Sequence, residues 1–132
     1  MGIRNRSQRG AAIIEMAITL PLLALLLLGI IDVGRLLYTQ ITLHEAVQEG
    51  TLYASTHPDA PMSSRTRVIE SVDNPSIALS DVTVDCPFPD TVRVRIEHDL
   101  NLLTPILGGG VITLDAEAVG GRLSSAPCVS SP

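Results

Sequence analysis

Glu15 is the one charged residue in an otherwise apolar stretch and is the side chain best placed to do chemistry. The stretch covers residues 11–31 and reads AAIIEMAITLPLLALLLLGII. Ionisable groups inside a membrane helix are rare and usually functional, since a central Asp, Lys or Arg costs about 2.5–3.5 kcal/mol. A carboxylate in such surroundings favours an ion pair with a cation. In the structural alternative, Glu15 lies near one end of the stretch and reaches the headgroups.

Cys86 and Cys128 are the only cysteines, and their thiols could form a disulfide. Paired thiols normally do so in an oxidising compartment. An intramolecular bond would close a loop of about forty residues and contribute roughly 3–4 kcal/mol on the chain-entropy estimate. It requires Cα atoms within ~7 Å, so it predicts that the C-terminal tail folds back beside Cys86. Two unrelated thiols and an intermolecular bond are the alternatives.

The sequence contains no recognisable catalytic or cofactor motif. It has no P-loop, no dinucleotide fingerprint, no HExxH and no paired CxxC. Its three histidines are scattered along the chain, and each is expected to be solvated or structural: His44, His57 and His98. Arg93 and Arg95 alternate along one strand candidate, which is typical of a solvated strand face. We therefore expect no enzymatic activity, no metal and no cofactor.

The apolar stretch has the length of a membrane-spanning helix. Twenty-one residues at ~1.5 Å each give ~31 Å, about the thickness of the hydrocarbon core. Lys- and Arg-rich loops stay cytoplasmic, so residues 1–10 are expected inside and residues 32–132 outside, in a single pass. A cleaved secretory signal fits poorly, because the stretch exceeds a typical apolar region of ~7–15 residues. Three basic residues and no acidic residue precede the stretch: Arg4, Arg6 and Arg9.

Gly10 stands between the basic leader and the apolar stretch, five residues before Glu15. A short basic leader, a Gly, a small residue and then a Glu inside the apolar helix resemble the processing site of type IV prepilins. The wider stretch, residues 9–56, resembles the TadE-like family of pseudopilins of the tight-adherence (Flp) pilus. Pro21 followed by a leucine run is usual in that family, whereas Met16 stands where an aromatic residue is common. Beyond residue 56 the resemblance rests on layout alone.

The resemblance implies processing and assembly roles for particular residues. A prepilin peptidase would cleave between Gly10 and Ala11 and leave an ammonium on Ala11. Glu15 of a neighbouring subunit would neutralise that ammonium and so fix the stagger of adjacent helices. The implied function is structural: a minor pilin or pseudopilin for pilus assembly or initiation and for surface adherence.

The same resemblance implies partners and a location. The partners would be the inner membrane, the prepilin peptidase, other pilin subunits, a second minor pilin of the TadE/TadF type, and the platform proteins of the pilus. The protein would be a single-pass inner-membrane protein with a periplasmic C-terminal domain, which on assembly would either enter the extracellular pilus or stay at its base. An uncleaved single-span anchor, presenting a small periplasmic domain to another envelope complex, is the alternative. Processing at Gly10 discriminates between the two.

The long helix is expected to continue well past the membrane, to about Ser55. No proline occurs between Pro21 and Pro58, and Pro21 itself is expected to kink or loosen the helix, since it frees a backbone carbonyl. Apolar or small residues recur at near-heptad spacing among charged ones, which predicts an amphipathic helix that packs on the exported domain. These residues are Leu36, Leu43, Val47, Gly50 and Ala54.

The remaining residues, 57–132, predict a small α+β domain. A short helix capped by Ser63 is expected to end at Asp73-Asn74-Pro75. Alternating residues then predict three strands and an antiparallel sheet, before a loose tail from Ser124. The strands cover 82–86, 91–98 and 111–119, with the flexible glycine run 108–110 before the third. The domains are thus a leader, 1–10; the long helix, 11–56; and the exported domain, 57–132.

The charge balance limits the partners of the exported part. Removal of residues 1–10 leaves six basic and fourteen acidic residues, a formal net charge of −8. Such a charge disfavours nucleic acid or an anionic lipid surface as a partner. The sequence has no Trp and one Phe, so the small core should be only marginally stable.

Overall fold

The computed structural model describes residues 4–72, 77–104 and 110–130, and side chains from residue 10 onward. Two helices precede a three-stranded antiparallel sheet, which confirms the predicted α+β layout. A 3-10 turn, Leu79–Asp81, leads into the sheet. The elements are α1 (Arg4–Thr56), α2 (Pro61–Ser71), β1 (Val82–Asp85), β2 (Thr91–Asn101) and β3 (Val111–Gly121).

Helix α1 is a single helix of 53 residues. It begins at Arg4, seven residues before the start of the apolar stretch, and it ends one residue beyond the predicted Ser55. Pro21 lies inside it, and the helix continues on both sides of the proline. The kink at Pro21 stays a prediction.

Helix α2 begins three residues earlier than the sequence predicted. Ala60 occupies the N-cap position and Pro61 the first turn, so the predicted cap residue, Ser63, lies inside the helix. Proline suits the first turn because its missing N–H would have no helical partner there. The predicted helix stop at residues 73–75 lies outside the described residues, as does most of the glycine run 108–110.

The sheet has the strand order β1-β2-β3, with both neighbouring pairs antiparallel. Its register sets Val84 opposite Val94 and Ile96 opposite Ala116. The side chains alternate between buried and exposed along β2, as the sequence predicted. Strands β2 and β3 each extend past their predicted ends, because antiparallel pairing runs from the pair Thr91–Gly121 to the pair Asn101–Val111.

The outer face of the sheet carries paired rather than merely solvated arginines. Arg93 donates two hydrogen bonds to Asp85, at 2.9 and 2.5 Å. The hydrogen bonds from Arg93 hold the pKa of Asp85 below its usual value and outweigh the opposing effect of partial desolvation. Arg95 lies 2.9 Å from a carboxylate oxygen of Glu97. Both arginines therefore pair with carboxylates of the sheet itself.

The hydrophobic core joins the C-terminal part of α1 to α2 and the sheet. Leu43 and Val47 of α1, Val68 of α2 and Val94 of β2 are all fully buried in it. His98, expected to be solvated or structural, is buried on the inner face of β2 at 8% exposure. The amphipathic pattern after residue 35 therefore marks the face of α1 that packs on the domain.

The chain forms two compact units. One contains Met1–Arg35 with Leu102–Gly110, and the other contains Leu36–Asn101 with Val111–Pro132. The second unit holds the whole hydrophobic core. The first holds the apolar stretch of α1 and the segment that follows β2.

The C-terminal tail has no regular secondary structure, yet it is held in place. The N–H of Leu123 donates to the carbonyl of Ser55 at 2.8 Å, and that of Val129 donates to the carbonyl of Pro58 at 3.0 Å. Cys128 forms a disulfide with Cys86. The described part of the tail is therefore less loose than its sequence suggested.

Candidate functional site

Gly10 lies in the first quarter of α1 and is exposed. No heavy atom of the described residues, apart from its chain neighbours and the helix backbone, lies within 4 Å of a Cβ built on it. Intrachain packing therefore does not require a glycine here. A glycine inside a helix lowers its stability by roughly 0.5–1 kcal/mol relative to alanine. The small size of Gly10 therefore meets no packing need among the described residues.

Gly50 gives the contrasting case on the same helix. A Cβ built there would overlap the side chain of Val68 and would lie 3.6 Å from that of Val94. Packing against α2 and β2 thus explains Gly50 fully. Gly29 and Gly34 resemble Gly10, since no side chain of the described residues approaches them within 4 Å.

Glu15 lies one helical turn after Ala11, and both residues are exposed. Residues four apart lie on the same helix face, so an ammonium on Ala11 and the Glu15 carboxylate would share one face. Glu15 makes no hydrogen bond or ion pair with any residue whose side chain the structure describes.

The apolar side chains of the stretch are exposed on all faces of the helix. Ile13, Leu22 and Ile30 are 61–69% exposed, and the other large apolar residues of the stretch are at least 42% exposed. The helix is long and apolar enough to cross a membrane, by length and composition. A helix that is apolar all round needs lipid or other helices around it. This segment therefore suits a bilayer or a bundle of like helices.

Asp32 directly follows the apolar stretch, and the structure gives it partners within the chain. Its side chain is 1% exposed. Its carboxylate accepts hydrogen bonds from the N–H of Leu103 at 2.9 Å and from the N–H of Thr104 at 2.8 Å. No local pattern could have predicted this, because the partners lie more than seventy residues away in the sequence.

The structure contains the predicted disulfide between Cys86 and Cys128. Their Cα atoms lie 6.5 Å apart, within the range that a disulfide spans. The tail therefore returns to the end of β1, as the sequence predicted. No free cysteine remains in the chain.

Comparison with known proteins supports the resemblance seen in the sequence. No curated protein and no solved structure matches the chain. The family model described as TadE-like protein matches residues 10–52, which contain Gly10, Glu15, Pro21 and Asp32. The match covers the apolar stretch and most of the remaining helix, so residues 10–52 are similar to the TadE-like family.

Proposed function

We propose that this chain is a minor pilin or pseudopilin of a tight-adherence (Tad/Flp) pilus, a structural subunit for pilus assembly or initiation and surface adherence. The observation that carries the proposal is an uncovered apolar helix inside the segment that matches the TadE-like family, in which Glu15 has no hydrogen-bond or ion-pair partner among the residues whose side chains the structure describes. Such a helix needs neighbours, and like helices provide both apolar cover and a cation for Glu15. The chain has no enzymatic role in this proposal.

Processing prepares the helix for assembly. A prepilin peptidase removes residues 1–10, which takes three arginines away from the membrane boundary. The new ammonium of Ala11 then pairs with Glu15 of an adjacent subunit, because either charge alone is unfavourable in a low dielectric. This pair sets the stagger between helices and discriminates against incorrectly placed subunits.

The topology follows from the charge of the leader. Before assembly the chain is a single-pass protein of the inner membrane, with its N-terminus in the cytoplasm and residues 32–132 in the periplasm. Its partners are the peptidase, other pilins including a second minor pilin, and the pilus platform. The disulfide of the second unit fits an oxidising periplasm.

Intact-mass measurement tests the processing step directly. Protein extracted from membranes should lose residues 1–10 when a prepilin peptidase is co-expressed, and should keep them when the peptidase is absent. Gly10→Leu should block the cleavage, because a bulky side chain does not fit before the scissile bond. Gly34→Leu is the matched control, since Gly34 is equally uncrowded but lies beyond the apolar stretch.

N-terminal sequencing distinguishes the proposed pilin from an uncleaved anchor. A chain that begins at Ala11 supports the pilin. A chain that begins at Met1 or Gly2 in the presence of active peptidase would refute processing and favour the anchor with a periplasmic interaction domain.

A further inference from the structure

Asp32 is the first charged residue after the apolar stretch, and its side chain is almost completely covered. It is 1% exposed, whereas its helix neighbours Ile31 and Val33 are 50% and 54% exposed. One position on an otherwise open part of a helix is covered only when another segment lies on it. Residues 102–104, which follow β2, are that segment.

Three hydrogen bonds hold the segment to this one carboxylate. The N–H of Leu103 donates to Oδ1 of Asp32 at 2.9 Å, and the N–H of Thr104 donates to Oδ2 at 2.8 Å. The hydroxyl of Thr104 donates to the same Oδ2 at 2.6 Å. Asp32 therefore accepts hydrogen bonds from two backbone donors and one side-chain donor, and Arg35 of the same helix lies 3.8 Å from its Oδ1.

The side chain of Leu103 is exposed, although its backbone N–H donates a hydrogen bond to the buried carboxylate of Asp32. Its side chain is 55% exposed, whereas Thr104 beside it is 3% exposed. The bond to Asp32 fixes Leu103 at the level of α1 where the apolar stretch ends. An apolar side chain at that level meets the boundary between hydrocarbon and water.

We propose that residues 102–104 form a second membrane contact, in which Leu103 inserts into the interfacial layer of the bilayer and Asp32 holds the segment there. This inference rests on the membrane span of the proposed function. Backbone donors near hydrocarbon must be satisfied within the protein, and Asp32 does this for Leu103 and Thr104. Residues 102–104 contain no charge, so the lipid chemistry they fit is apolar insertion rather than headgroup pairing.

The contact gives the span a defined depth and rotation. A single apolar helix can slide and rotate in a bilayer, whereas an interfacial side chain anchors it at one face. Because Asp32 and Leu103 are linked, the anchor lies on the face of α1 that carries Asp32. That face is then turned to lipid at the exported side.

Tryptophan substitution can measure the contact, because the natural chain has no Trp. The full chain is reconstituted into phosphatidylcholine vesicles with and without lipids brominated near the headgroup end of the acyl chains. The Leu103→Trp and Ile31→Trp variants should both be quenched, to within about twofold of each other. Leu123→Trp is the control, as Leu123 is 76% exposed in the other unit and should be quenched little.

The role of Asp32 is tested in the Leu103→Trp background. Asp32→Ala removes all three acceptor contacts and should lower the quenching towards that of the Leu123→Trp control. Asp32→Asn keeps one acceptor oxygen and should fall between. Quenching that is unaffected by Asp32→Ala overturns the proposed hold on the segment.

The reference variants separate the possible failures. If Ile31→Trp is not quenched, the membrane span of the proposed function fails. If Ile31→Trp is quenched and Leu103→Trp is not, the span stands and the second contact is wrong. A blue-shifted, unquenched Leu103→Trp emission that depends on protein density in the vesicle would mean that a second copy covers Leu103, which also overturns the lipid contact.

Discussion

Glu15 and Asp32 lie near opposite ends of the apolar stretch, and their carboxylates differ in what they contact. Asp32 accepts hydrogen bonds from Leu103 and Thr104 of its own chain. Glu15 makes no hydrogen bond or ion pair with a described side chain. Since a charge in low dielectric requires a partner, the Asp32 carboxylate suits a structural role and the Glu15 carboxylate suits the proposed assembly between subunits.

Glu15→Ala should separate processing from assembly. We expect cleavage after Gly10 and membrane insertion to stay near the natural level, since neither uses the carboxylate. Incorporation into the pilus should fall by on the order of tenfold or more, because the ammonium of Ala11 would be left unpaired in low dielectric. Immunoblots of sheared pili and of membrane fractions measure the two quantities.

Two further variants control this experiment. Glu15→Asp keeps the charge with a shorter reach and should fall between the natural chain and Glu15→Ala. Glu45→Ala removes a carboxylate from an exposed position further along the same helix and should assemble normally. A fully piliated Glu15→Ala strain would contradict the assembly role.

At the scale of elements, helix α1 has two kinds of surface along its length. Up to residue 31 its large side chains are open on all faces, whereas from Leu36 onward one face is buried in the core of the second unit. The change follows from composition: Asp32 and Arg35 are the first charged residues after the apolar stretch, and further charged residues such as Glu45 and Glu49 follow along the helix. One element thus serves as a candidate membrane span and as a core helix.

A Cβ at Gly50 of this core helix would overlap Val68 of α2, which makes Gly50 a sensitive test of the packing. Gly50→Ala should lower the free energy of unfolding by about 1–3 kcal/mol, because the new Cβ overlaps Val68 and the crowding exceeds the gain in helix propensity. Urea unfolding of the full chain in detergent, followed by circular dichroism, measures the change.

Gly34→Ala is the matched control for this packing. No described side chain lies within 4 Å of a Cβ at Gly34, so the substitution should leave stability unchanged or raise it by up to about 1 kcal/mol. Equal effects of the two substitutions would show that Gly50 is not tightly packed.

At the scale of the whole molecule, the second unit is held together from both ends of its sequence. Its tail forms backbone hydrogen bonds with Ser55, near the end of α1, and with Pro58, just beyond it. The disulfide links the same tail to the end of β1. The core of this unit is mainly aliphatic and contains no Trp. A covalent link therefore supplies a large share of the stability of a small domain.

Removal of both cysteines should destabilise the second unit. The Cys86→Ser, Cys128→Ser double variant should lose roughly 3–4 kcal/mol of unfolding free energy, for a bond with a sequence separation of 42. Urea unfolding of the full chain under oxidising conditions measures the loss, and the reduced natural chain should match the double variant. Quantitative thiol labelling of both cysteines in the folded, unreduced protein would contradict the bond.

The local features of this protein follow from its sequence alone. The apolar stretch, the near-heptad spacing after Leu36 and the alternation along residues 91–98 each repeat within a few positions, so they predicted α1 and the sheet with only their ends misplaced. The first turn of α2 was misassigned because Ser63 looked like a cap, while Pro61 could itself begin the helix. Glu15 was identified because a charge stands out in an apolar stretch.

Tertiary structure alone decided which distant groups meet. The bonds from Thr104 to Asp32 join residues separated by 72 positions, and the tail reaches Pro58 across a similar distance in the sequence. Such pairs leave no periodic signal, because they depend on where the folded chain brings unsatisfied backbone donors close to an acceptor. Buried donors must be satisfied, so Asp32 became a structural anchor only when the segment after β2 came to lie on it.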